Sequence, residues 1–177
     1  MARVKYLQRA DVAGAEDTLF DRLERERKVP TANIFRALAN APRILDQFLS
    51  YANAIRASSI SPKLRELAIL TVGHCTDSEY EIAHHQSHGL KAGVSAEQLK
   101  SIPDFETSPL FNEEERAVMG FAKELTLKVN VSDVAWARVA RFLNEQQLVE
   151  LTLNVAWYNS GVRIMGGLKI ELEESYR

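Results

Sequence analysis

The chain has 177 residues, 46% hydrophobic and 26% charged, which is enough to bury a real core and too apolar for disorder. Its 22 basic and 24 acidic residues leave a formal net charge of -2, so no electrostatic footprint for nucleic acid or an anionic membrane follows. The single cysteine, Cys75, excludes an intramolecular disulfide, and no apolar run is long enough to span a bilayer. The start, Met1 to Asp11, is polar and lacks the apolar core of a secretory leader, so a reducing cytoplasm is the expected compartment.

In chain order the segments read as helices separated by punctuation, and all five prolines (Pro30, Pro42, Pro62, Pro103, Pro109) fall at seams. A first helix is expected from Gly14 to Lys28, with Leu19, Phe20 and Leu23 as its apolar stripe. Thr31 caps a short helix through Phe35 and Leu38, and Pro42 begins the next, with Ile44, Leu45, Phe48 and Leu49 facing in. Ser61-Pro62 is a start signal for a helix carrying Leu64 to Cys75. Asp77 or Ser78 caps the following helix, and Gly93 ends it in a left-handed conformation. Ser95 to Gln98 and Asn112 to Glu115 read as capping boxes.

The second box opens a helix with Val118, Phe121, Ala122 and Leu125 inward. Ser132 opens another, through Trp136, Val139 and Phe142. Asn144 opens a last long helix to about Met165, apolar on most sides and therefore expected to be central and buried. Only Lys169 to Leu172 has any strand character. The expected fold is all-α, one helical-bundle domain over residues 1–177 with its core motif at about 60–145.

All four histidines (His74, His84, His85, His88) lie within fifteen residues. Imidazole changes charge near neutral pH, so such a cluster is a site candidate. At roughly 100° per residue, Ser78, Glu81, His85 and His88 share one side of their helix, and His84 lies off it, nearer Tyr80. On the preceding helix, Glu66 has Ile69, Leu70 and Gly73 as near neighbours. A carboxylate among aliphatic groups is desolvated, which raises its pKa. Gly73 in mid-helix costs about 1 kcal/mol relative to alanine, and a close approach of the next helix would compensate. The short turn at Thr76-Asp77 makes the two helices antiparallel, so the Glu81-His85 side can face Glu66.

A buried carboxylate beside an imidazole is a proton relay. Two plainer readings stand beside it. Glu66 can simply pair with Arg65 or Arg163, and the histidines can hold a metal, through His84 and His88 at i, i+4 or His85 and His88 at i, i+3, with Glu81 or Glu66 as a third ligand. No familiar two-part metal motif is present, so no metal and no cofactor is assigned. Cys75 reads as a small buried hydrophobe, and Asn154, Tyr158 and Asn159 interrupt the apolar last helix.

Three stretches together, Leu64 to Leu70, Ser78 to His85 and Ala92 to Ser95, resemble the central motif of carboxymuconolactone decarboxylase-like proteins. Phe35 to Ala39 with Pro42, and Gln147 to Leu151 with Trp157, Tyr158 and Asn159, extend the resemblance over nearly the whole chain. The resemblance implies the all-α fold of the alkylhydroperoxidase D-like type, homo-oligomers (dimers, trimers or hexamers) and a pocket beside the motif helix. Relatives of the alkylhydroperoxidase D kind carry a Glu, a Cys-x-x-Cys pair and a His as a thiol relay. On that pattern the Glu falls on Glu66, the His on His85, and the two cysteines on Ser78 and Glu81. A hydroxyl and a carboxylate cannot cycle through a disulfide.

The resemblance then implies the decarboxylase side of the superfamily, a lyase of aromatic-compound catabolism acting on a small carboxylated lactone. Glu66 and His85 are the expected catalytic pair. Ser78, Glu81, His88, Tyr158 and Asn159 are the expected substrate-binding residues, with Arg163 or Arg43 to hold a substrate carboxylate. A peroxidase-like oxidoreductase using Cys75, and a non-catalytic ligand-binding member, are the competing readings. No nucleic-acid or membrane partner is expected.

Overall fold

The structure is a computed structural model and describes residues 1–12, 17–27 and 31–176. Nine α-helices are present among them, and no strand. They are α1 (Asp17–Arg27), α2 (Asn33–Leu38), α3 (Pro42–Arg56), α4 (Pro62–Cys75), α5 (Glu79–Lys91), α6 (Ala96–Ser101), α7 (Glu113–Lys128), α8 (Asp133–Val139) and α9 (Glu145–Leu168). The expected ends of the first helix, Gly14 and Lys28, lie outside the described residues, as does the seam at Pro30. Residues Lys169 to Leu172 form no strand.

The chain forms two compact units, Met1–Arg56 with Arg163–Arg177, and Ala57–Val162. In the first, α1, the end of α2 and α3 close over Leu19, Phe20, Leu23, Ala39, Leu45 and Leu49. Ile44, expected inward, is exposed. Thr31 does not cap α2. Its N-cap is Ala32, without a side-chain bond, because the Asn33 N–H donates instead to the carboxylate of Glu173. A distant acceptor has satisfied a donor that a local hydroxyl was expected to take.

The second unit is organised around α4, which packs against both α5 and α7. Ser61 caps it by accepting from the Leu64 N–H, and Pro62 occupies the first turn, where a missing N–H costs nothing. Every residue from Glu66 to Gly73 is buried. One side of α4 (Leu64, Ala68, Val72) joins a core with Val118, Phe121, Ala122, Leu148, Leu151 and Val155. A second side (Leu67, Leu70) joins Val94, Ile102, Phe105, Phe111 and Met119.

The third side meets α5. A Cβ on Gly73 would stand 3.0 Å from Ile82 Cγ1 and 3.5 Å from the Glu81 Cβ, so the glycine does set a close helix approach. Helix α5 ends in a Schellman motif. Gly93 takes φ +93°, the Val94 N–H donates to the Gly89 carbonyl at 2.9 Å, and the Gly93 N–H donates to Leu90 at 3.2 Å.

Both expected capping boxes form, on α6 and α7. Helix α8 ends at Val139, so Phe142, expected within it, falls beyond it, and both Trp136 and Phe142 are exposed. Helix α9 buries Leu148, Leu151 and Val155 but leaves Val149 and Leu153 exposed, so it is not covered all round as its composition suggested.

Candidate active site

The α4–α5 pair brings Glu66 and His85 together. His85 Nδ1 lies 2.8 Å from Glu66 Oε2, close enough to share one hydrogen. One turn earlier on α5, Glu81 lies on the other side of the same ring, with Oε1 3.4 Å from His85 Nε2. The imidazole therefore stands between two carboxyl groups, one for each nitrogen, and both carboxyls are buried. Tyr158 of α9 presents its ring edge-on to His85 at 5.0 Å between centroids, and the His88 ring stands edge-on at 5.3 Å. His84 is outside this group and stacks on Tyr80 at 4.4 Å, as the helix geometry required.

Two similar buried carboxyls acquire opposite tendencies. At Glu66 burial is the largest influence and would raise the pKa. The hydrogen bond from His85 and the charges of His85, His88 and Arg65 together outweigh it, and the pKa falls below the ordinary carboxylate range. The expectation that burial would raise Glu66 is therefore corrected. The raised group is Glu81, where desolvation dominates and the charges of His85 and His84 do not offset it. Environments that push two carboxyls apart suit one to holding a proton and the other to receiving it.

Of the other expected substrate-binding residues, Glu81, His88 and Tyr158 surround His85. The Ser78 hydroxyl is used as the N-cap of α5, accepting from the Glu81 N–H, so its work is to start the helix that carries the site. The Asn159 amide donates to Thr126 Oγ1 at 2.9 Å and to the Val155 carbonyl at 3.0 Å, which ties α9 to α7. Arg43 and Arg163 belong to the other compact unit. Cys75 is half-buried, and burial pushes its thiol pKa up, the opposite of an activated thiolate.

Sequence reasoning did not foresee that Glu81 would engage the second nitrogen of His85. Its i, i+4 spacing from His85 was the available signal. Ligating atoms of Glu66, His85 and His88 lie within 4.8 Å of one another, which makes these three the residues able to hold a metal ion among those described. A surface groove of about 320 Å³ lined by Lys123, Leu127, Ser132, Val134 and Arg138 contains none of these residues.

The sequence profile of the carboxymuconolactone decarboxylase family matches residues 42–124, the stretch from α3 into α7 that carries both Glu66 and His85.

Solved structures share the fold at low identity. The debrominase Bmp8 in its apo form is 20% identical, with a TM-score of 0.83 over 98% of this chain and 94% of that one. An uncharacterised peroxidase-related protein from Ralstonia eutropha JMP134, described as an alkylhydroperoxidase AhpD core, is 14% identical, with a TM-score of 0.84 over 99% and 94%. A second peroxidase-related protein, from Silicibacter sp. TM1040, is 14% identical with a TM-score of 0.82 over 99% and 93%. A search among curated proteins found no match. No described helix is long and apolar enough to cross a membrane.

Proposed function

We propose that the protein performs acid/base chemistry of the decarboxylase (lyase) kind on a small carboxylated lactone or related ring-cleavage product, with His85 as the proton carrier. The observation that carries this reading is the hydrogen bond of His85 Nδ1 to Glu66 at 2.8 Å, with the Glu81 carboxyl within ion-pairing distance of Nε2 at 3.4 Å. Such a ring is held in one orientation and can pass a proton from one side to the other without turning. In the reaction the bond between the substrate carbon and its carboxylate breaks and carbon dioxide leaves. The bonding electrons stay on that carbon or pass to an enolate oxygen, and the relay delivers one proton there. Tyr158 and the exposed His88 form the wall through which a small acid reaches the ring.

A dithiol peroxidase reading has no residues to support it. Ser78 and Glu81 stand where the thiols would be, and neither can form a disulfide. The superfamily's habit of forming homo-oligomers and a cytoplasmic location complete the proposal. The test is carbon dioxide release from carboxylated lactones by the wild-type protein and by Glu66→Gln and His85→Gln. Positioned acid/base groups typically contribute roughly 10²–10⁴-fold, so losses of that size with unchanged helix content are expected. Full turnover in both variants would reject the reading.

A further inference from the structure

We infer that Glu66, His85 and His88 also form a binding site for a divalent first-row cation of the zinc type, assembled where α5 presents two imidazoles to the buried carboxylate of α4. The inference does not depend on the decarboxylase reading. The three ligating atoms already lie within 4.8 Å of one another. Ligand distances near 2.0–2.1 Å in a tetrahedron put donors about 3.3 Å apart. The gap is therefore roughly 1.5 Å by that geometry, within the swing of an exposed side chain such as His88.

The donor set has the right chemistry. Two histidines and one glutamate make up a familiar catalytic zinc set, and three protein ligands leave the fourth position open for water or a substrate oxygen. Building metal sites from Glu and His side chains on facing helices is a recurrent device of helical bundles. A second, independent observation points the same way. His85 faces Glu66 with Nδ1, while its Nε2 meets the buried Glu81 carboxyl at 3.4 Å. Metal-bound imidazoles are commonly held by a carboxylate on their other nitrogen, which fixes the tautomer and the ring plane. Glu81 occupies that position.

An ion seated there takes the place of the hydrogen shared by Glu66 and His85, and that proton leaves to solvent. The ion-loaded form and the proton-relay form are thus alternative states of one site. His84 lies outside the three-residue group, its ring stacked on Tyr80 at 4.4 Å.

The experiment uses full-length protein stripped with a chelator and titrated with zinc and cobalt(II) chlorides, followed by calorimetry and cobalt absorption. One ion per chain is expected, with the visible bands of a four- or five-coordinate cobalt centre. His88→Ala is expected to abolish stoichiometric binding. Glu81→Gln, which keeps the shape but removes the carboxyl group behind His85, is expected to weaken it by about 10-fold, at the low end for such outer carboxylates. His84→Ala is expected to bind as the wild type does. No binding by the wild type, or equal binding by wild type and His88→Ala with helix content unchanged, overturns the inference. Metal binding is read here without any substrate, and the decarboxylase reading is judged on turnover of the stripped protein, so either can fail alone.

Discussion

Helices α4 and α9 are both apolar on most sides, yet the structure treats them differently. Helix α4 lies between α5 and α7 and is buried continuously from Glu66 to Gly73. Helix α9 contributes Leu148, Leu151 and Val155 to the core but exposes Val149 and Leu153, which are i, i+4 neighbours on its outer side. Composition alone does not distinguish a helix with partners on three sides from one with partners on fewer. The difference has a functional side. Glu66, in the buried stretch of α4, is desolvated, and the hydrogen bond from His85 together with the charges of His85, His88 and Arg65 keeps it ionised. A polar residue on α9 such as Asn159 can serve as a tie between helices instead.

Paired truncations break or sharpen this contrast most strongly. Leu67→Ala, in the fully buried part of α4, should cost about 2–5 kcal/mol of unfolding free energy. Leu153→Ala, on the exposed side of α9, should change stability by no more than about 0.5 kcal/mol. Denaturant unfolding of both variants checks this, and similar losses in the two would remove the distinction.

The next effect is smaller and concerns the approach of α5. Gly73→Val adds atoms into a position where even a Cβ meets Ile82 at 3.0 Å. Overpacking of this kind costs roughly 1–3 kcal/mol. It should also open the distance between Glu66 and His85, so turnover should fall further than stability explains.

The smallest effect tests how α9 is anchored. The Glu150 carboxylate accepts from the Ser59 N–H at 2.8 Å and the Ser59 hydroxyl at 2.7 Å, just before the Ser61 cap of α4. Bonds from Gln146 and then Ser59 hold its pKa below the ordinary value. A folded-state pKa lower than the unfolded one contributes stability above the unfolded pKa, near 4.3 for Glu, and loses it as pH falls through the folded value. The stability advantage of wild type over Glu150→Leu should therefore be present at pH 7 and shrink in acid. A constant difference across that range would show that the contact acts through packing and not through charge.

What was legible in the sequence was mostly what is local. Ser61-Pro62, the boxes at Ser95 and Asn112, and Gly93 announce helix ends through bonds made within a few residues, and the structure makes each of them. The meeting of Glu66 with His85 was legible for a related reason. A short turn and a mid-helix glycine leave an antiparallel pair few ways to pack. What failed was whatever a distant residue decides. Glu173 replaced Thr31 as the acceptor at the start of α2. His85 reversed the effect of burial on Glu66. The exposure of Ile44, Trp136 and Leu153 depends on what lies opposite them, which periodicity does not encode.

The central claim is that His85 has a carboxyl group at each nitrogen, Glu66 hydrogen-bonded at Nδ1 and Glu81 within ion-pairing distance of Nε2. Nitrogen-15 NMR of the histidine rings, in wild type, Glu66→Gln and Glu81→Gln, tests it without any substrate. The account expects the Nδ1 resonance of His85 to move in Glu66→Gln and the Nε2 resonance to move in Glu81→Gln, each with the smaller change at the other nitrogen. A His85 spectrum that neither substitution alters would contradict it.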